Sequence, residues 1–90
     1  MTYTVVLEKD EDGGYSVYVP ALRGCNTEGD SVTEAVEMAK EAILAYMDGE
    51  AALGRTMPAD VEEFTLEVAD LAEALVLKVT VPIGQEAEVA

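Results

Sequence analysis

Residues 24–31 read "GCNTEGDS", from Gly24 to Ser31. Two glycines and a serine stand at the spacing of a phosphate-binding P-loop, between a stretch of alternating apolar residues and a helical one. That motif needs a lysine to reach the phosphates, and this chain has Asp30 in its place. A carboxylate there repels phosphate, and Glu28 adds a second one. The spacing therefore speaks of structure. Gly24 and Gly29 permit tight turns on either side of a short strand at 25–28, and Asp30 with Ser31 meets the free amides at the start of a helix.

Upstream, "YTVVLEK" at 3–9 alternates, with Tyr3, Val5 and Leu7 on one face and Thr4, Val6 and Glu8 on the other. "DEDGG" at 10–14 is turn chemistry, with Gly13 and Gly14 able to take positive φ, and "YSVYVP" at 15–20 resumes the alternation through Tyr15, Val17 and Val19. The two segments predict a β-hairpin, ended by Pro20, which cannot donate to a ladder.

Downstream, Ser31 and Glu34 form an S-x-x-E capping box at the head of a periodic segment. Val32, Ala35, Val36, Ala39, Ile43, Tyr46 and Met47 fall on one side of a helix over about residues 31–48, with Glu34, Glu37, Glu41 and Asp48 opposite. Gly49 is a natural terminator, and Glu50, Ala51 and Ala52 can add a turn before Gly54. Residues 54–60 read as a connector. Residues 64–68 fit a strand, while 60–73 also fit a helical stripe, and both readings stand. Residues 75–81 alternate clearly as a last strand. The expected domain is 1–83, followed by a flexible acidic tail at 84–90.

Ninety residues make one domain, and 50% apolar with 27% charged residues is a globular composition. Nineteen acidic against five basic side chains, with no histidine, give a net charge of -14. Direct nucleic-acid binding is disfavoured, because its sequence-independent part comes from Lys and Arg displacing counterions from phosphates. Anionic membranes are disfavoured for the same reason. A basic protein partner or a saline cytoplasm suits such a surface. Acidic residues at 8, 10, 11 and 12 lack the alternating ligand spacing of a calcium loop, so no metal and no cofactor is expected. Nucleophilic catalysis lacks the histidine base it ordinarily needs, so no catalytic residue is expected. Cys25 is the only cysteine, which rules out an intramolecular disulfide and points to a reducing cytoplasm, and it is expected to be a buried thiol. No run approaches the roughly 20 apolar residues of a membrane span.

The ordered set Gly13-Gly14-Tyr15, Val19-Pro20-x-Leu22-x-Gly24-Cys25, Thr27-x-Gly29-Asp30-Ser31 and Glu34-Ala35, within 8–47, resembles the N-terminal domain of the HicB antitoxin family. Met57-Pro58 and the β-rich end are similar to that family too. The resemblance implies an α+β, two-layer, partial ribonuclease-H-like fold: an antiparallel β-β-β-α-β sheet, with a possible extra strand, covered on one face by the helix and lacking the carboxylates of true nucleases. It implies a non-enzymatic protein that neutralises HicA, a small basic ribonuclease toxin, by direct contact. Gly14, Tyr15, Pro20, Leu22, Gly24, Cys25, Gly29, Asp30, Ser31, Glu34 and Ala35 are then its fold signature. Many members also carry a C-terminal DNA-binding segment, and with eight residues beyond 82 and none of them basic, this chain is expected to lack it.

The partner-binding groups expected from charge are Asp10, Glu11 and Asp12 on the hairpin turn and Glu34, Glu37 and Glu41 on the exposed helix face. The apolar last strand has an edge to protect, so a homodimer or larger assembly is expected. The alternative is an orphan domain of the same fold that self-associates without a toxin.

Overall fold

The structure is a computed structural model that describes residues 1–66 and 73–82. Its elements follow the order β1 (Thr2–Lys9), β2 (Tyr15–Tyr18), β3 (Asn26–Gly29), α1 (Val32–Ala52) and β4 (Ala74–Thr80). The four strands form one antiparallel sheet in the order β3-β2-β1-β4. The first three are a meander, and the chain crosses over through α1 to lay β4 on the far side of β1. This is the α+β architecture expected from the sequence.

Alternation along β1 builds the core. Tyr3, Val5 and Leu7 are buried with Val17, Val19, Leu22 and Cys25, and with Val79 and Val81 from the end of the chain, under Ala35, Ala39 and Ile43 of the helix. Each such large aliphatic side chain contributes about 1.5–3 kcal/mol by leaving water. The helix presents alanines where it comes nearest the sheet, and the sheet answers with Gly29. A Cβ at that position would lie 2.5 Å from the Ala35 nitrogen. Gly29 is therefore needed for close approach of β3 to α1, in addition to ending the strand. Val32, expected on the buried stripe, is instead exposed, because it precedes the turn at which the helix meets the sheet.

Ser31 caps α1, its hydroxyl accepting from the Glu34 N–H at 3.1 Å. The Glu34 carboxylate reaches back one residue further than a standard capping box and accepts from the Asp30 N–H at 2.7 Å. Gly49 does not end the helix. The last turn runs on to Ala52, and Gly54 with φ +71 closes a Schellman motif in which Arg55 N–H donates to Glu50 and Gly54 N–H to Ala51. The shift from Gly49 to Gly54 has a physical reason: only Gly54 stands where the left-handed conformation lets two amides return to the final carbonyls.

Residues 60–66 form neither helix nor strand, and residues 67–72 of the segment that fits either reading lie outside the described residues. The tail at 84–90 lies outside them as well. The face of the sheet opposite the helix is not bare, since Thr4 and Val6 are buried there. Among the described residues no helix is long and apolar enough to cross a membrane.

Candidate partner-binding site

The β1–β2 turn is shaped by its own backbone. Asp10 N–H donates to the Gly14 carbonyl at 2.7 Å and Gly13 N–H to the Asp10 carbonyl at 3.1 Å. Gly13 takes φ +96, as the sequence suggested, whereas Gly14 has no positive φ. Gly14 serves a different need. A Cβ there would stand 3.3 Å from the Gly29 carbonyl oxygen and 3.7 Å from an Oδ1 of both Asp12 and Asp30. The missing side chain lets the turn close against the β3–α1 junction, and two carboxylates meet over it.

The result is a cleft of about 270 Å³ in which Asp10, Asp12, Glu28 and Asp30 stand over a floor of Gly14, Tyr15 and Gly29. None of these lining residues is basic. Asp10 Oδ1 accepts from the Ser16 hydroxyl at 2.8 Å and Asp12 Oδ1 accepts from the Gly14 N–H at 3.3 Å, which holds both groups in place and, among the described residues, leaves their second oxygens open to accept. Strand register continues the acidity outward, because Glu8 lies opposite Ser16 and Ser16 opposite Glu28, a row on the face away from the helix. Among the described residues no three His, Cys, Asp or Glu side chains are grouped so as to hold a metal ion. The arrangement suits a cationic side chain brought by another molecule, which charge-assisted hydrogen bonds to several carboxylates would hold.

The expected binding residues divide between places. Asp10 and Asp12 line the cleft, while Glu11 is exposed on the same turn. Glu34 is engaged at the helix start by the Asp30 N–H. Glu37 pairs with Lys40 at 3.7 Å, and Glu41 is exposed further along the helix, so these two belong to the helix surface and not to the cleft. Glu28 joins the site although sequence reasoning did not assign it to partner binding, and Asp30 joins it in addition to its place at the helix start. The signal for Glu28 lay in the meander: extending the pairing of β2 into β3 sets it opposite Ser16.

The remaining signature residues are architectural. Leu22 N–H donates to Val19 at 3.0 Å and Cys25 N–H to Leu22 at 2.9 Å, and the loop begun by Pro20 turns through Gly24 at φ +81. Cys25 is buried, and burial pushes its thiol above the ordinary range, away from the thiolate that nucleophilic chemistry requires.

A second polar cluster lies at the other end of β1. β2 stops opposite Val6, so the outward amide of Thr4 has no strand partner, and Asp60 of the connector takes its place. Asp60 Oδ1 accepts from the Thr4 N–H at 2.9 Å, and Oδ2 accepts from the Thr4 hydroxyl at 2.8 Å and the Lys78 ammonium at 2.9 Å. Lys78 also donates to the Thr4 Oγ1 at 2.7 Å, and the Tyr3 hydroxyl donates to the Pro58 carbonyl. Burial pushes the Asp60 carboxyl up, and the Thr4, Lys78 and Val61 donors outweigh it, leaving the group below the usual carboxylate range.

Known proteins share this architecture. A UPF0150 protein of Thermoplasma acidophilum is 48% identical over 67 residues, which are 73% of this chain and 97% of that protein. The N-terminal domain of the Burkholderia pseudomallei antitoxin HicB superposes with a TM-score of 0.66 at 27% identity, covering 92% of this chain and 100% of the domain. A chain of a HicA3 and HicB3 toxin–antitoxin complex shares the fold with a TM-score of 0.68 at 21% identity, over 92% of this chain and 100% of that one. The model of the HicB-like antitoxin of bacterial toxin–antitoxin systems matches residues 3–86. With that match and the β-β-β-α-β order in place, the chain belongs to the HicB-like antitoxin family.

Proposed function

We propose that this protein binds and neutralises a small basic ribonuclease toxin of the HicA type by direct contact. The cleft carries the proposal: Asp10, Asp12, Glu28 and Asp30 converge in an open site that no basic side chain lines. A toxin that holds RNA with lysines and arginines offers the complementary charge, and a cationic side chain seated in the cleft is withdrawn from RNA. Occlusion is then the mechanism, and the antitoxin needs no catalytic group, cofactor, nucleic acid or membrane. Glu11 on the turn, with Glu34, Glu37 and Glu41 along the helix, forms a more solvent-screened flank of the contact. The acting species is a cytoplasmic homodimer or larger assembly. Family membership and the fold shared with a chain of a HicA3–HicB3 complex support the reading. A second reading, self-association without a toxin, draws on the exposed Leu75 and Val76 of β4.

The test is whether the adjacent reading frame encodes a small basic protein, whose binding is then followed by calorimetry and whose toxicity by rescue of growth on co-expression. Asp12→Asn with Asp30→Asn is expected to weaken the complex about tenfold or more, about 1.4 kcal/mol, while Glu37→Gln with Glu41→Gln changes it less. Asn can still accept the Gly14 N–H, so the turn is kept. Undiminished affinity in the Asp12 and Asp30 variant would remove the cleft from the mechanism.

A further inference from the structure

The hydrogen-bond parity of the meander is fixed at both of its turns. Asp10 N–H donates to the Gly14 carbonyl at 2.7 Å across the first, and Val19 N–H to the Cys25 carbonyl at 3.1 Å across the second. Bonded pairs recur at every second residue of an antiparallel ladder, so Glu8–Ser16 and Val6–Tyr18 are bonded between β1 and β2, and Val17–Thr27 and Tyr15–Gly29 between β2 and β3. The two turns agree, since they send alternate residues of β2 to opposite neighbours. Thr27 and Gly29 therefore turn their backbone groups to β2, while Asn26 and Glu28 each turn an N–H and a C=O outward. Asp30 would be next in that series, and its N–H is taken by the Glu34 carboxylate at 2.7 Å. Among the described residues no strand pairs with Asn26 or Glu28 on that side, because β3 is an edge of the sheet.

The side chains of this edge sort by face. A Cβ on Gly29 would meet the helix, so Thr27 shares the helix face, and Asn26 and Glu28 stand on the other, both exposed. Glu28 belongs to two places at once, since it stands on the edge strand and also lines the acidic cleft with Asp10, Asp12 and Asp30. A strand laid antiparallel on β3 sets one residue directly opposite Glu28 and, two residues earlier in its own sequence, another on the same face at Asp30. β3 carries neither the proline nor the lysine that commonly blunts an edge. Its one charged side chain repels acidic chains and attracts basic ones. The other edge does not match a cationic strand, because Lys78 is the only charged residue of β4.

We propose that β3 receives an extended strand of the basic partner, laid antiparallel, with Lys or Arg at alternate positions: one opposite Glu28 and one, two residues before it, at the mouth of the acidic cleft. Asn26 and Glu28 exchange backbone hydrogen bonds with that strand, which hold it in register, and the carboxylates select its side chains. The inference rests on the toxin reading for the identity of the partner, whereas the mode of binding stands on the edge itself. It adds a requirement that charge alone does not make. The partner must offer a strand edge with basic groups on one face, and a basic helix or an unordered basic tail does not satisfy Asn26 and Glu28.

The probe is a short peptide alternating Lys and Val, titrated into the unaltered chain at low ionic strength. In the proposed register the lysine amides face β3 and the valine amides face away. N-methylation of the lysine amides is therefore expected to weaken binding about tenfold or more, and N-methylation of the valine amides to leave it unchanged, at identical charge. Amide exchange at Asn26 and Glu28 is expected to slow about tenfold or more when the unmethylated peptide is added. Equal affinity of the three peptides, or unchanged exchange at both residues, overturns the proposal. Protection of both amides before any peptide is added overturns it too, by giving the edge to a second copy. With the basic neighbour as ligand, Glu28→Pro deletes an outward amide and no bond to β2, and is expected to weaken binding about tenfold beyond Glu28→Gln, which loses the same charge. Should Glu28→Pro fail to fold, the peptide series decides. A neighbour that binds and leaves Asn26 and Glu28 unprotected refutes the edge and keeps the toxin reading, and one that does not bind at all refutes the toxin reading and leaves the peptide result standing.

Discussion

Asp60 does work that a strand would otherwise do. β1 starts four residues before its ladder with β2, and a carboxylate supplies the acceptor that the Thr4 amide would lack. Its second oxygen gathers the Thr4 hydroxyl and the Lys78 ammonium, so one side chain joins β1, the connector and β4. Asp60→Asn keeps the shape and removes the charge, and is expected to cost about 1–2 kcal/mol near neutral pH, the range of a charge-assisted hydrogen bond partly open to water. The pH dependence follows from the lowered folded-state pKa. Such a group stabilises the fold fully above its unfolded value of about 3.9, and that stabilisation fades as pH falls through the lower folded value. Urea unfolding curves of the two proteins should therefore differ at pH 7 and converge on acidification below about pH 4. A difference that persists or grows in acid would show that Asp60 contributes through packing and not through its charge.

At the scale of elements, α1 separates two uses of glycine. Gly49 lies inside the helix, and a Cβ there would meet nothing within 4 Å. Gly54 lies just past the end at φ +71, where a side chain is strained whatever the space. Gly49→Ala is expected to stabilise the protein by about 0.8–1 kcal/mol and Gly54→Ala to destabilise it by about 1–2 kcal/mol, read from denaturation midpoints. Changes of the same sign would refute the assignment of the helix end. The pair also marks how far sequence reasoning reaches. Local chemistry was legible: the alternation of Tyr3, Val5 and Leu7, the Ser31 cap, and Asp30 in place of the P-loop lysine each report on neighbours a few residues away. Gly49 and Gly54 look alike in sequence, and what distinguishes them is which amides fold back onto the last carbonyls. The site was half legible for the same reason. Asp10 and Asp12 stand in one acidic run, while Glu28 and Asp30 reach them through register and the turn closing over Gly14. Asp60 carried no local signal, because its partners Thr4 and Lys78 are 56 and 18 residues away.

The whole molecule carries a net charge of -14 on 90 residues, the surplus left once all five basic side chains are counted against its nineteen acidic ones. Folding concentrates those carboxylates, most of all at the cleft, so the free protein stores self-repulsion that an expanded chain relieves. A basic partner relieves it as well, by binding. Salt therefore acts in opposite directions on the two equilibria. Raising ionic strength from about 0.01 to 0.1 M shortens the screening length from about 30 to 10 Å, which weakens repulsion among surface carboxylates and weakens attraction to a cationic toxin alike. The exposed Lys78–Asp60 bridge loses a little over the same range, a smaller effect because one pair is set against a surplus of fourteen charges. The melting temperature of the free protein is expected to rise, by about 4–8 °C for each kcal/mol of repulsion relieved in a domain of this size, while the dissociation constant of the complex increases. Scanning calorimetry and titration calorimetry across one salt series measure the two slopes on the same protein. A melting temperature that rises with salt while affinity falls places both stability and recognition on the acidic surface. A melting temperature that falls with salt would mean that attractive pairs dominate the fold, and a complex indifferent to salt would move recognition from the cleft to apolar contacts.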